Sequence, residues 1–351
     1  MDFPAERRGW SLTRFIRRLF RFRLLTLLAA ITAVSIWLAF TFQRQPIEPQ
    51  NLSRLRPLDE IERAVWQLEW SPDRKRVAFV GWETPVDVRE TITLWPVRTI
   101  GEGRKLIHFA FSPDQNRVAY CENSKLVELL NLKSGRTITI DTGNSQPDMV
   151  FSPDGKLVAS GGYGTAASLW DAQTGKLVRT LIADLHGAGG LEVEFSPDGK
   201  VIAVGNRNSI ARLYDVATGR QLHLLNKPSS HDIAFHPSGR TVAISYAEGS
   251  IVLWDVATGQ IVGEQRPGAE EIFTLDWSPK GDLLASGGLK GDIYLWSESL
   301  TLLRALPAPE WVISVKFSPD GSRLITAGGD PLMTGKRSVT VWGVAPSLTG
   351  K

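Results

Sequence analysis

A short motif of the form aromatic-Ser-Pro-Asp-Gly recurs seven times along the 351-residue chain at nearly constant spacing. The copies begin at Trp70, Phe111, Phe151, Phe195, Phe235, Trp277 and Phe317, at intervals of 41, 40, 44, 40, 42 and 40 residues. A period in this range indicates a repeat architecture with one supersecondary unit per repeat. Apolar and polar residues alternate on both sides of each motif, and Pro, Gly and Asp separate these runs, which predicts short antiparallel strands.

The motif itself has the residues that a type I turn favours, with Pro at the second position, Asp at the third and Gly at the fourth. Two copies have lost the aspartate, since Ser238 and Lys280 replace it while the repeat continues around them. A metal ligand or a catalytic acid would not tolerate such replacements. We therefore interpret the motif as a turn between two strands of each unit.

Further along each unit, an apolar run ends in a dipeptide such as Trp170-Asp171, Tyr214-Asp215 or Trp254-Asp255. Because of these dipeptides and their spacing, the units resemble the repeats of the WD-repeat family. The chain as a whole resembles a membrane-anchored, prokaryotic-like member of that family. The resemblance covers about 51–345 and implies an all-β fold, a seven-bladed β-propeller whose blades are four-stranded sheets. Too few residues follow Trp342 for another outer strand. We therefore predict that 51–56 form the closing strand of the last blade, which removes an open sheet edge.

The N-terminal region has a different character, because 24–42 are 19 residues without a charge and nearly long enough to span a membrane as a helix. Seven arginines precede this run: Arg7, Arg8, Arg14, Arg17, Arg18, Arg21 and Arg23. Such clusters stay on the cytoplasmic side. We predict a basic cytoplasmic tail (1–23), a transmembrane signal-anchor helix (24–42), a linker (43–50), the propeller (51–345) and a C-terminal tail (346–351).

This topology places the protein in the cell membrane as a single-pass protein with an extracytoplasmic propeller, which is periplasmic if the cell is Gram-negative. A cleaved signal peptide is the alternative, because Arg17-Arg18-Leu19-Phe20 loosely resembles a twin-arginine signal. No small-x-small cleavage site follows the apolar run, which favours the uncleaved anchor. The tail is either a basic amphipathic helix on anionic headgroups or an unstructured arginine-rich flank.

The composition and charge of the chain argue against several classes of function. The formal charge is +3, but residues 1–56 hold ten arginines against three acids, so the rest of the chain has 30 basic and 34 acidic side chains. A folded domain without a basic excess argues against nucleic-acid binding. Cys121 is the single cysteine, the five histidines form no metal-binding spacing, and no G-x-S-x-G or phosphate-binding loop occurs. We expect no catalytic residue, no metal and no cofactor.

The spacing within the repeats indicates a candidate binding surface. From the motif aromatic to the Trp-Asp slot there are 19 residues in units two to six, but 25 in unit one (Trp70 to Trp95) and in unit seven (Phe317 to Trp342). We predict that the extra residues lie in loops within 81–90 and 327–338, on one face of the propeller. The predicted partner-binding residues are Trp82, Arg89, Glu90, Asp330, Met333, Lys336 and Arg337. Alternatively, both loops are tolerated insertions.

Taken together, the sequence favours a membrane-anchored, non-enzymatic scaffold that binds one or more proteins. Two alternatives stay open. One is a propeller enzyme with a site at the central channel, assembled from one residue per blade and therefore invisible in a linear scan. The other is a membrane receptor.

Overall fold

The computed structural model describes residues 45–344, except for 74, 82–83, 91–95, 165–166, 183–189, 207–209, 269, 290–291, 309–310 and 330–336. The side chains of 182, 206 and 337 are also outside the description. No helix within these described ranges is both long and apolar enough to cross a membrane. The predicted basic tail (1–23), transmembrane helix (24–42) and C-terminal tail (346–351) lie outside them.

In the described part of the chain, the strands form seven sheets, as the repeats predict. Blade one contains β2 (Gln67–Trp70), β3 (Arg76–Val80), β4 (Val86–Glu90) and β5 (Pro96–Ile100). Blade two contains β6 (Leu106–Phe111), β7 (Arg117–Glu122), β8 (Leu126–Asn131) and β9 (Thr137–Asp141). Blade three contains β10 (Met149–Phe151), β11 (Leu157–Ser160), β13 (Ala167–Asp171) and β14 (Leu177–Ile182). Blade four contains β15 (Gly190–Phe195), β16 (Val201–Asn206), β17 (Ile210–Asp215) and β18 (Gln221–Pro228), with the short β12 (Gly162–Tyr163) added beside β15.

The remaining blades repeat the pattern. Blade five contains β19 (Ser230–Phe235), β20 (Thr241–Tyr246), β21 (Ile251–Asp255) and β22 (Ile261–Gln265). Blade six contains β23 (Ile272–Trp277), β24 (Leu283–Gly288), β25 (Asp292–Ser297) and β26 (Leu302–Pro307). Blade seven contains β27 (Val312–Phe317), β28 (Leu324–Gly329), β29 (Arg337–Val344) and, from the N-terminal end, β1 (Leu55–Glu62).

Ring closure differs from the prediction in its boundaries. A 3-10 helix, Pro49–Arg54, occupies most of the predicted closing strand (51–56), and the strand itself is β1, which pairs antiparallel with β29 from Leu55 to Glu62. The predicted linker (43–50) is also partly packed structure, since the Ile47 amide donates to the Gly321 carbonyl at 2.8 Å and Ile47 is only 2% exposed. An isoleucine followed by a turn of helix buries apolar surface that an extended linker would leave in water.

Two faces follow from the antiparallel order of the strands. The turns from the first to the second strand and from the third to the fourth lie at one end of each blade, here called the turn face. The loops from the second to the third strand and those between blades lie at the other end, the loop face. Because Ile47 contacts the Gly321 turn, the chain enters the propeller at the turn face.

The Ser-Pro-Asp-Gly segments are turns, as predicted. In blade three, Ser152 Oγ donates to Asp154 Oδ1 at 2.7 Å, the Lys156 amide donates to the same oxygen at 3.0 Å, and Gly155 has φ +70°. The blade-six copy uses Asp282 instead, which accepts from Ser278 Oγ at 2.7 Å. That exchange leaves Lys280 to form an ion pair with Glu48 of the entering segment.

The core is divided into seven apolar clusters among the described residues, one at each boundary between adjacent blades. Tryptophans in the predicted slot pack into it and donate their indole N–H to the second strand of their own blade. Trp170 reaches Ser160 Oγ at 2.8 Å and Trp342 reaches Thr326 Oγ1 at 3.0 Å. These bonds satisfy the indole N–H, the one polar group of each tryptophan side chain, which would otherwise be buried without a hydrogen-bond partner.

Candidate functional site

The first strands of the seven blades surround a central channel. Each inner strand contacts the inner strand of the next blade, and β27 contacts β2, so that the ring is continuous. Side chains alternate along a strand, so the residues one and three positions before the motif aromatic face the channel. Polar residues of all seven repeats therefore meet there, although they lie about 40 residues apart in the sequence.

Many of these channel side chains connect one blade to the next. The inner edge of each sheet has backbone amides without a strand partner, and a side chain of the preceding blade accepts from them. The described pairs are Phe109 N to Gln67 Oε1 (3.1 Å), Val193 N to Asp148 Oδ2 (3.2 Å), Leu275 N to Asp232 Oδ2 (2.6 Å), Val315 N to Thr274 Oγ1 (3.2 Å) and Leu68 N to Ser314 Oγ (3.4 Å). These contacts satisfy a sheet edge that would otherwise be exposed.

Deeper in the channel, carboxylates from four blades surround one lysine. Lys316 Nζ lies 3.7 Å from Asp276 Oδ1. Burial would lower the pKa of Lys316, but the negative charges of Asp276, Asp232, Glu69 and Glu194 outweigh it and raise that pKa. The Lys316 side chain is 35% exposed and that of Asp276 is 22% exposed, so the group lines an open channel.

The same surroundings hold these carboxyl groups partly protonated near neutral pH. Burial raises the pKa of Glu69 to about 7, of Glu194 to about 8 and of Asp276 to about 6, and Lys316 opposes each of these increases. Asp276 also accepts the Phe317 amide at 2.6 Å. Carboxyl groups with raised pKa values beside a lysine are able to exchange protons, which is the property a channel enzyme requires.

A second group of side chains forms an aromatic arc at the loop-face end of the channel. The ring centroids of His231 and Phe273 are 5.7 Å apart, and so are those of Phe273 and Trp311. Trp66 precedes β2 at the same end of its blade and is 45% exposed. Glu271 Oε2 lies 3.9 Å from His231 Nε2. His231 itself is buried, whereas Phe273 and Trp311 are partly exposed. Partly exposed aromatic rings beside an acidic group are typical of surfaces that bind other proteins.

The structure changes the placement of two predicted binding residues. Arg89 and Glu90 were predicted in the loop between the second and third strands, but that connection comprises only residues 81–85. Both residues instead end β4, where Glu90 pairs with Arg76 at the turn face. Val77 pairs with Arg89 as Val158 pairs with Trp170, so Arg89 occupies the tryptophan slot of blade one. The extra residues of blade one therefore follow β4.

Arg89 has its own set of contacts in that slot. Its Nε donates to Asp87 Oδ2 at 2.7 Å, and Arg63 Nη1 donates to the same oxygen at 2.6 Å. The guanidinium group lies over the Phe79 ring, 5.5 Å from its centroid. Phe79 occupies the position of Ser160 in blade three, so a cation–π contact replaces the indole hydrogen bond that Trp170 forms there.

Of the other predicted site residues, the structure describes only the backbone of Arg337. Trp82, Asp330, Met333 and Lys336 lie outside the described residues, and Arg337 begins β29. The blade-seven insertion does fall between its second and third strands, since β28 ends at Gly329. Within the described ranges, no group of three or more His, Cys, Asp or Glu side chains is arranged to hold a metal ion.

Sequence comparisons agree with this geometry. The family profile described as WD domain, G-beta repeat matches residues 136–171, 262–297 and 300–347. The profile of the anaphase-promoting complex subunit 4 WD40 domain matches residues 226–278. The molecule is a seven-bladed propeller with repeats of the WD type. No curated protein matches the chain.

In this WD-repeat propeller, the matched repeats are offset from the blades by one strand. The match over 300–347 begins with β26, the outer strand of blade six, and continues through three strands of blade seven. The fourth strand of blade seven must then come from elsewhere, and β1 supplies it. WD-repeat propellers generally serve as non-catalytic surfaces for binding other proteins.

Proposed function

We propose that this WD-repeat propeller is anchored in the cell membrane by residues 24–42 and works as a non-enzymatic protein-interaction scaffold. The uncharged run behind seven arginines supports a span with a cytoplasmic N-terminus and an extracytoplasmic propeller. The propeller fold supports the scaffold role. The observation that carries the proposal is the aromatic arc of His231, Phe273 and Trp311 at the loop-face mouth of the channel.

This mouth has the composition of a binding surface for a partner protein. Its aromatic rings offer apolar area with little side-chain entropy to lose, and Glu271 adds an acidic group beside His231. The predicted loop residues Asp330, Met333 and Lys336 belong to the insertion of blade seven, which joins strands at the same face, and Arg337 follows it as the first residue of β29. We propose that the arc and this insertion bind the same partner.

Site-specific photo-crosslinking in intact membranes tests the scaffold. A photoreactive phenylalanine analogue replaces Trp66 or Trp311 on the loop face, and Lys133 on the turn face serves as the matched control. We expect a discrete protein adduct from both loop-face positions, none from the control, and loss of the Trp66 adduct in a Phe273→Ala, Trp311→Ala variant. Identical adducts from both faces, or none from the loop face, would contradict a scaffold that uses this mouth.

Protease protection tests the topology. Protease added to the outside of intact cells should cleave the propeller and leave the N-terminal tail protected. Cleavage of the tail with protection of the propeller would invert the arrangement.

A channel enzyme is the second candidate, and the raised pKa values of Glu69 and Glu194 beside Lys316 are the observation that favours it. The two candidates separate in a Glu69→Gln, Glu194→Gln variant expressed in cells that lack the native gene. A scaffold keeps both its crosslinked adducts and its cellular function in this variant. Loss of function with the adducts intact would favour the enzyme.

A further inference from the structure

We propose that residues 46–55 are a closing strap, a segment that holds β1 on blade seven by non-covalent contacts and lets this strand detach while the rest of the propeller stays folded. The inference goes beyond the proposed scaffold and is independent of it, because it uses only contacts within the described propeller. Three observations carry it: how the outer strands are tethered, how the closing strap packs, and where β1 is exposed.

The first observation concerns the covalent connections of the outer strands. In blade six, β26 follows β25 through a tight hairpin, in which the Ser297 amide donates to the Thr301 carbonyl at 2.9 Å. The other end of β26 continues into β27, so the chain holds this strand at both ends. Among the described residues, β1 has such a connection only at the loop face, through 63–66 to β2. The turn-face end of β1, at Leu55, therefore depends on the segment that precedes it.

The second observation is that the closing strap packs between blades six and seven. Ile47, Leu52 and Leu55 are each at most 4% exposed and lie together in the apolar cluster between these two blades. The Ile47 amide also donates to the Gly321 carbonyl of blade seven at 2.8 Å. Because burial of large apolar side chains is the main source of attachment for a segment like this one, the closing strap takes the place of the missing hairpin.

Polar contacts give the closing strap a fixed shape. The Glu48 amide donates to Asn51 Oδ1 at 3.1 Å, and Asn51 Nδ2 donates to the Pro46 carbonyl at 2.8 Å, across the start of the helix Pro49–Arg54. Glu48 forms an ion pair with Lys280 of blade six. The closing strap is thus held as one compact unit, which favours docking and release in a single step.

The third observation is the exposure of β1 itself. Residues 56–60 are all exposed, and the pairing of β1 with β29 shifts register between Pro57 and Asp59. Other outer strands have little burial too, since β22 has no buried residue, but those strands begin in hairpins. The middle of β1 is held by its backbone ladder alone, so it has little packing to keep it in place once the closing strap is released.

The opening has a defined far boundary. Ile61 packs against the apolar cluster between blades seven and one, and Val65 is buried in that cluster. The Trp66 amide donates to the Val80 carbonyl of blade one at 2.7 Å. We therefore assign 46–60 to the unit that detaches. The inner strands keep the ring continuous at the channel during this opening, because β27 contacts β2 directly.

Hydrogen exchange of the full chain, followed by mass spectrometry, tests the closing strap. Ile47→Ala weakens it, and Leu303→Ala, at a 40% exposed position of β26, is the matched control. A Glu60→Cys, Thr340→Cys variant locks β1 to β29, because these residues are directly opposite in an antiparallel pair, where Cα atoms lie within disulfide distance. Cys121 is buried, and burial raises its pKa to about 12, so it does not compete for the disulfide.

In the native chain, the amides that join β1 to β29 should exchange at least about ten-fold faster than those that join β26 to β25. Ile47→Ala should accelerate exchange of β1 and of the facing amides of β29 by one common factor of about thirty-fold, and leave β26 and the Trp66 amide unchanged. Leu303→Ala should accelerate neither β1 nor β29. The oxidised disulfide should slow exchange of β1 to the rate of β26.

Two results would overturn the closing strap. If β1 exchanges no faster than β26 in the native chain, or if Ile47→Ala accelerates all blades equally, β1 leaves only when the whole propeller unfolds. If the oxidised disulfide does not slow exchange of β1, the opening is not a separation of β1 from β29. This second comparison, between the oxidised and reduced forms of one variant, does not require the Ile47 variant to fold.

Discussion

Lys316 of blade seven lies 3.7 Å from Asp276 of blade six, so the boundary between two blades has an ion pair facing the channel. The pair belongs to a larger group, because Asp232, Glu69 and Glu194 also act on the charge of Lys316. One cation thus offsets the charge of carboxylates from four blades. This relationship makes the stability of the ring depend on pH and on a single side chain.

The raised pKa values of Glu69 and Glu194 predict that the propeller loses stability as pH rises from about 4.5 to about 8. In that window the folded state holds more protons than the unfolded state, so ionisation favours unfolding. A Glu69→Gln, Glu194→Gln variant should flatten the dependence and raise Tm by about 2–5 °C at pH 8. Thermal unfolding of the full chain at several pH values measures it. Glu102→Gln is the exposed control and should follow the native profile; a native profile in the double variant would contradict the prediction.

Replacing the lysine should have the opposite effect. Lys316→Met leaves the surrounding carboxylates without their cation, and we expect a loss of roughly 1–3 kcal/mol at pH 8, less than for a fully buried pair because the channel is open. The loss should shrink toward pH 5, where the carboxyl groups are protonated. Urea unfolding at the two pH values measures this difference. An equal loss at both would assign the effect to packing rather than charge.

The arginine in the tryptophan slot of blade one should be structurally important. Arg89→Met takes one of two arginines, Arg63 being the other, away from the buried Asp87 and removes the cation–π contact with Phe79, so we expect a loss of about 1–3 kcal/mol. Arg98→Met on the neighbouring strand is the matched control, because Arg98 is exposed, and it should cost under about 0.5 kcal/mol. Equal unfolding free energies for the two variants would show that the slot tolerates any long side chain.

Ile47 should contribute to closing the ring. It is buried in the cluster between blades six and seven, together with Leu52 and Leu55 of the entering segment. Ile47→Ala should cost about 2–4 kcal/mol. Leu58→Ala, at a 46% exposed position of β1, should change stability by less than about 1 kcal/mol. Denaturant unfolding compares them, and hydrogen exchange of β29 should rise only in the Ile47 variant. Unchanged exchange there would mean that the entering segment does not support closure.

The sequence predicts the architecture well because the repeat is regular. The spacing of the motif predicts the blades and the turns, and the short C-terminal end predicts closure by an N-terminal strand. The boundaries of that strand are missed because the Pro49–Arg54 helix has no counterpart in the other blades. The burial of Ile47 is missed for the same reason, since nothing in its neighbourhood repeats elsewhere.

The candidate site is harder to predict. In blade one, the first tryptophan after Trp70 that ends an apolar run is Trp95, but the spacing of 19 residues found in units two to six places Arg89 in the slot. The spacing, rather than the residue type, is therefore the signal that identifies the slot of blade one. The channel group gives no local signal, because Glu69, Glu194, Asp276 and Lys316 come from different repeats and meet only when the ring forms.

The pairing of β1 with β29 joins Leu55 to Val344, nearly the two ends of the described chain. During synthesis, β1 leaves the ribosome first and its partner last, so this sheet edge waits for the rest of the propeller to be made. Contacts between such distant residues slow folding, because a very long loop must be closed before the pairing is gained. Ring closure should therefore be the final step of folding, and until it occurs the nascent chain exposes an edge at which aggregation can begin.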